Sequence, residues 1–283
     1  MKIFISVDME GICGVTHPAQ CRPSHPDYPR FRRLMTGEVN AAIEGVLAAS
    51  SAEFVVNDSH FTMTNILIEE LHPSAALVSG SNKLLCQVEG LDSSFDGVFL
   101  VGYHQGDGQG DGIIGHTVMS SAIRSVRVNG ELVDEARLNS LVAGDFGVPV
   151  ALLTGDDCVC AAALEWAPEI EVAEVKRATD RLSGQHLSVS SARDTVRQRA
   201  AAAAEKLASG DLAHATCERP VRIDVEFRST SAAHMCTLFP GVERTGPCEI
   251  TLQHETAVGA YQLFWGLGIF AMAVQDGAFG LGL

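Results

Sequence analysis

Basic residues are scarce in this chain. Its 283 residues carry 20 Lys and Arg against 35 Asp and Glu, a formal net charge of −15. That balance argues against nucleic acid as a partner, since holding a phosphate backbone takes cationic side chains. It fits either ordinary solubility or an acidic field that attracts cationic substrate ends or metal ions. Cysteine pairs at the spacing of zinc or redox motifs are also lacking. Eight cysteines occur, and the tightest pair, Cys158 and Cys160, lacks the two-residue spacer of zinc and redox motifs. The longest apolar run, Leu263 to Val274, is short of the roughly 18 to 20 residues of a membrane span and reads as a buried helix, so no membrane partner is expected. The first residues read as a core strand rather than a charged leader or signal core. A reduced, cytoplasmic protein with mostly buried thiols is the expectation. No internal repeat is present. Gly106, Gly108, Gly110 and Gly112 alternate with polar residues but lack the lysine and the strand–helix context of a phosphate loop.

What is present is a βα rhythm. Ile3–Val7, Glu53–Val56, Ala76–Ser79, Gly97–Gly102 and Val148–Thr154 read as strands. Helices are predicted over Arg30–Ser50, over the short stretch Asn65–Leu71, and from an Asp134 cap to about Ala143. Ser121–Val128 alternates and meets Asn129-Gly130, a hairpin signal, before Glu131–Val133. The fold class is α/β, a mainly parallel sheet with helices on both faces. A helix over Ser190–Ser209, strands at Val221–Phe227 and Glu249–Leu252, and a helix from Glu255 to Val274 suggest a smaller α+β unit. The expected division is a catalytic, metal-binding domain at 1–185 and a C-terminal domain at 186–283. The glycine-rich end, 277–283, reads as either a disordered tail or a packed extension.

The first strand runs into Asp8 and Glu10, which share a face with Ser6 because side chains at i and i+2 of a strand point the same way. Two carboxylates at the end of a buried strand repel each other and are costly to desolvate, and a cation between them removes both penalties. The second strand ends near His60, the Gly97–Gly102 strand at His104, and Glu135 begins the helix after the hairpin. Carboxyl ends of parallel strands line one rim of an α/β sheet, where ligands bind. Carboxylate and imidazole donors suit zinc, manganese or non-haem iron. Taken singly, each residue also fits a plain role: a solvated strand end for Asp8 and Glu10, a cap or core histidine for His60 and His104, a dipole-complementing first-turn glutamate for Glu135. No cysteine occupies an equivalent strand end, although Cys13 is close by. His116, past the glycine-rich loop, fits either a structural loop histidine or an acid/base group. His17 and His25 sit in a Pro-rich loop that could border the site, and no role is assigned to them or to the remaining histidines.

With these residues assembled, the chain resembles the M55 peptidase family of D-aminopeptidases. The matching pieces are Ser6-Val7-Asp8-Met9-Glu10-Gly11, Val56-Asn57-Asp58-Ser59-His60, Leu71-His72-Pro73, Val88-Glu89-Gly90-Leu91, Gly102-Tyr103-His104 and Glu135 with Leu138-Asn139. Met35-Thr36 with Glu38 and Asn40 fits the family's first helix. The resemblance implies a centre of two zinc ions per chain held by Asp8, Glu10, His60, His104 and Glu135, with Asp8 as the bridge. It implies that His116 is the catalytic histidine, as nucleophile or as acid/base, although the loop before it is one residue longer here. It further implies an aminopeptidase that hydrolyses the N-terminal amide bond of short peptides, D-amino-acid peptides such as D-Ala-D-Ala, within a homo-oligomer of ring-stacked, decameric kind. Small L- or glycyl peptides remain open as substrates. The rival readings are a dinuclear metallophosphoesterase, whose Asp-x-His opening is missing, and a non-enzymatic assembly protein.

Overall fold

The computed structural model describes residues 1–275, so the glycine-rich end at 277–283 lies outside the described residues. Strand β1 (Lys2–Val7) leads through a Pro-rich loop to helix α1 (Tyr28–Ala49), whose start is set by Pro29 in its first turn. Strands β2 (Glu53–Asp58), β3 (Ala75–Val78) and β4 (Gly97–Tyr103) follow, then the hairpin β5 (Ile123–Val128) and β6 (Glu131–Leu132). Next come α2 (Glu135–Asp145), β7 (Val150–Asp156), α3 (Asp157–Trp166), β8 (Glu171–Asp180), β9 (Ser183–His186) and α4 (Val189–Ser209). The chain continues as β10 (Val221–Phe227), α5 (Thr230–Cys236), β11 (Glu243–Arg244), β12 (Glu249–His254) and α6 (Ala257–Gln275).

Seven strands form the main sheet in the order β3-β2-β1-β4-β7-β8-β9, parallel throughout except for the antiparallel edge strand β9. A smaller antiparallel sheet has the order β11-β12-β10-β5-β6. Strand alternation assigns the faces. Ile3, Ile5 and Val7 join the buried layer built from Phe31, Val39 and Ile43 of α1 and Val196 and Ala200 of α4. Phe4 on the opposite face joins the layer that includes Val126, Leu138, Val159 and Phe264.

One expectation is corrected. No helix forms over Asn65–Leu71. The Asp58 carboxylate takes the backbone N–H groups of Asn65 and Ile66, while Phe61 and Met63 have φ of 45° and 54°. Side-chain acceptors thus satisfy donors that a helix would have used. The smaller sheet includes β5 and β6 from before residue 186, and α4 packs on α1. Helix α6 agrees with the helix expected over Glu255–Val274, which is longer than the unbroken apolar run inside it. It spans 19 residues, and its first 18 are apolar enough to cross a membrane by length and composition. Ala260, Tyr261, Phe264, Leu267 and Ala271 of this helix are buried in the core, while Leu263 and Ile269 are exposed.

Candidate metal centre

The parallel ladder places the first group of side chains. Asp8 N–H continues the pairing of β1 by donating to the Val101 carbonyl at 2.8 Å, and Ser59 N–H donates to Val7 at 2.9 Å. These bonds bring the ends of β1, β2 and β4 to one rim. The chain turns there by close backbone contact: Gly11 N–H donates to the Gly102 carbonyl at 2.8 Å. A Cβ at Gly11 would overlap the Tyr103 carbonyl, and Gly102 adopts φ +72° against the Asp8 carbonyl.

Asp8, Glu10, His60, His104 and Glu135 converge at this rim, all buried. Asp8 Oδ1 lies 3.1 Å from His60 Nδ1, and Asp8 Oδ2 lies 3.5 Å from His104 Nε2. Glu10 Oε2 is 2.8 Å from the same His60 nitrogen, but off the direction a hydrogen bond requires, and it has no hydrogen-bond partner. Glu135 Oε1 is 3.6 Å from His104 Nε2, which likewise has none. Single donor atoms of Asp8, Glu10 and His104 lie within 4.8 Å of one another. The same holds for His104, His116 and Glu135, and for Glu10, Cys21 and His60.

Tautomers follow from the far side of each ring. His60 Nε2 lies 2.8 Å from the Cys21 carbonyl and His104 Nδ1 lies 3.0 Å from the Gln105 carbonyl. A carbonyl only accepts, so those nitrogens carry the protons. In the neutral rings His60 Nδ1 and His104 Nε2 are then bare acceptors facing carboxylate oxygens, which also only accept. Such contacts hold only with a proton or a cation between them. Without a metal the protons take that place. Burial opposes a charge on His60, yet Glu10 and Asp8 outweigh it and hold its pKa well above the usual imidazole range. Burial likewise opposes a charge on His104, and Glu135, Asp8 and Glu10 raise its pKa to about 10. For Asp8, burial and then Glu10 push the carboxyl up against the pull of His104 and His60. For Glu10, burial is outweighed by His60, with His116 and His104 behind it, and its pKa lies well below the carboxylate range. Bare imidazole and carboxylate donors on one buried point are a donor set that fits a divalent transition metal.

The remaining members, His116 and Glu135, flank the β5–β6 hairpin of the smaller sheet. Asp134 caps α2 by accepting from Arg137 N–H at 2.8 Å, which sets Glu135 in the first turn. One Glu135 oxygen accepts from Val118 N–H at 2.6 Å and the other from the Gln87 side chain. His116 is half-buried, its ring stacked on His104 with centroids 4.2 Å apart and planes 8° from parallel. Its Nδ1 lies 2.8 Å from the Ile114 carbonyl, so Nδ1 carries the proton and Nε2 is the acceptor.

Several residues that sequence reasoning left without a role support these. Ser6 Oγ donates to the Gln87 carbonyl at 2.6 Å and is 2.7 Å from both Ser59 Oγ and Tyr103 Oη. Asn139 donates to Gln87 Oε1 at 2.8 Å and to Tyr103 Oη at 2.9 Å. The buried Lys176 ammonium donates to the carbonyls of Glu10 and Val15, holding the turn after the carboxylates. Cys13 turns away, its Sγ donating to the Leu187 carbonyl at 3.2 Å, and the thiol that reaches the cluster belongs to Cys21. A further acidic group, Asp156, Asp157 and Cys158, is of another kind. Its carboxylates accept backbone N–H groups from Ile113, Val159 and Ala178, so they serve as caps.

The sequence model of the M55 peptidase family, described as D-aminopeptidase, matches residues 1–266. A D-aminopeptidase of Bacillus subtilis (strain 168) is 35% identical over 265 residues, covering 93% of this chain and 94% of that protein. Among solved structures, the Zn-dependent D-aminopeptidase DppA from Bacillus subtilis, described as a self-compartmentalizing protease, superposes with a TM-score of 0.91. The two share 33% identity, over 96% of this chain and 98% of that one.

Proposed function

The chain belongs to the M55 peptidase family of D-aminopeptidases, and we propose that it is a zinc-dependent aminopeptidase that releases the N-terminal residue of short D-amino-acid peptides such as D-Ala-D-Ala. The observation that carries this reading is the division of the Asp8 carboxylate, one oxygen toward His60 and the other toward His104. Asp8 would then serve two zinc ions, one held also by Glu10 and His60 and the other by His104 and Glu135.

When bound, zinc supplies Lewis acidity to the scissile carbonyl and to the attacking water. The chain's own groups do the rest. The carbonyls of Cys21 and Gln105 fix the two imidazoles in the tautomers that face the carboxylates. Gln87 and Val118 hold Glu135 in one orientation. His116 accepts the proton of the attacking water at Nε2 and delivers it to the nitrogen of the leaving amine, while Ile114 keeps Nδ1 protonated and the His104 ring fixes its plane. The acidic chain favours approach of a substrate's free ammonium end.

We infer that the protein acts as a homo-oligomer of ring-stacked, decameric kind that encloses its active sites; its Bacillus relative is described as a self-compartmentalizing protease. Exposed Leu238, Phe239, Leu263 and Ile269 offer apolar surface for such contacts. All eight cysteines are free, which fits a cytoplasmic location. The test is a panel of dipeptides with matched D- and L-N-terminal residues, run with added zinc, manganese or cobalt beside p-nitrophenyl phosphate. Cleavage of the D-series with zinc, at a kcat/KM well above the L-series, is expected. Phosphatase activity without peptide cleavage, or preference for the L-series, would overturn the reading.

A further inference from the structure

Cys21 closes the short helical turn Pro18–Cys21 and is 2% exposed. That turn is firmly held. His17 caps it by accepting from Ala19 N–H, and Gln20 Oε1 accepts from the N–H groups of Thr16 and His17 at 2.8 and 2.9 Å. The Cys21 carbonyl takes His60 Nε2 at 2.8 Å, tying the turn to the metal centre. The thiol of the same residue lies with the Glu10 carboxylate and the His60 imidazole, one donor atom of each within 4.8 Å of the others. Independently of the cysteine, Glu10 Oε2 is buried in this group without a hydrogen-bond partner, on a residue only 6% exposed. A buried carboxylate oxygen in that state, 2.8 Å from His60 Nδ1, calls for a proton or a cation between the two.

We propose that Cys21 is a thiolate ligand of the zinc held by Glu10 and His60, giving that position a mixed sulfur, nitrogen and oxygen donor set. The inference rests on the metal reading above and extends it. The S–H proton leaves to solvent as the zinc–sulfur bond forms, so the oxidation state of neither partner changes. The consequence is selectivity. A soft thiolate favours zinc or cobalt over manganese or magnesium, whereas the position at His104 and Glu135, with no thiol in its group, accepts a harder ion.

The experiment uses the full-length protein, stripped with chelator and reloaded with cobalt(II) alone. Wild type should show a near-ultraviolet thiolate-to-cobalt charge-transfer band beside the visible ligand-field bands. Cys21→Ser should lose the first and keep the second through the other position. X-ray absorption at the zinc edge of the zinc-loaded wild type checks the same bond without a variant, by a sulfur neighbour to the metal. Cobalt binding without the charge-transfer band, persistence of that band in Cys21→Ser, or no sulfur neighbour at the zinc edge would overturn the assignment of Cys21 alone. Failure of wild type to bind cobalt or zinc at all would overturn the metal reading together with it.

Discussion

His116 lies flat on His104, with ring centroids 4.2 Å apart and planes 8° from parallel. The two imidazoles differ in surroundings. His104 is 1% exposed and turns Nε2 toward Asp8 and Glu135, whereas His116 is half-buried at the rim. Stacking fixes the plane of the outer ring without occupying either of its nitrogens. In the proposed mechanism the inner ring would hold a metal and the outer one would move a proton.

His116→Ala is therefore expected to keep its metal and lose turnover, with kcat falling roughly 10²- to 10⁴-fold, the range for removal of a general acid/base. Metal content by mass spectrometry and kcat on a D-dipeptide check this together. Near-normal kcat would remove His116 from the mechanism.

Metal stoichiometry separates the roles of Asp8 and His60. His60→Ala should lose about half of the zinc that survives dialysis, because the position at His104 and Glu135 keeps its own ligands. Asp8→Asn, which changes the residue facing both histidines, should retain less than His60→Ala. Equal retention in the two variants would contradict the bridging role.

A third prediction concerns Glu38, buried on α1 away from the carboxylate pair. Burial raises its pKa from 4.5 to about 7, against the opposing pull of the Cys13 N–H group, Lys176 and Arg193, and its Oε2 has no hydrogen-bond partner. A carboxyl with a raised folded pKa holds its proton in the native state while the unfolded chain has lost it. Stability therefore falls as pH rises from 4.5 to about 7 and is level above that. Over that window Glu38→Gln should gain up to roughly 3 kcal/mol relative to wild type. Urea unfolding at matched pH values reads the difference, and a pH-independent gap between the two proteins would refute the assignment.

Much of the centre was legible because each member follows a strong local signal. Asp8 and Glu10 end an apolar strand, His60 and His104 follow two others, and Glu135 follows a helix cap at Asp134. What stayed hidden depends on partners far along the chain. Ser6 gains its role from Gln87 and Tyr103, residues 81 and 97 positions away. Cys21 sits in a loop with no periodicity, and only the folded chain brings it to Glu10 and His60. The helix expected at Asn65–Leu71 failed for a related reason, since the Asp58 side chain captured the backbone donors that local propensity would have spent on a helix. Strand periodicity showed the β5–β6 hairpin but not that β5 pairs with β10, nearly a hundred residues further along the chain.

That last pairing has a mechanical meaning. His116 and Glu135 flank the β5–β6 hairpin, which is a part of the small sheet, while Asp8, His60 and His104 are rooted in the large one. The centre is thus a seam between two layers. A slide of one sheet against the other would carry His116 and Glu135 as a unit, leaving Asp8, His60 and His104 in place.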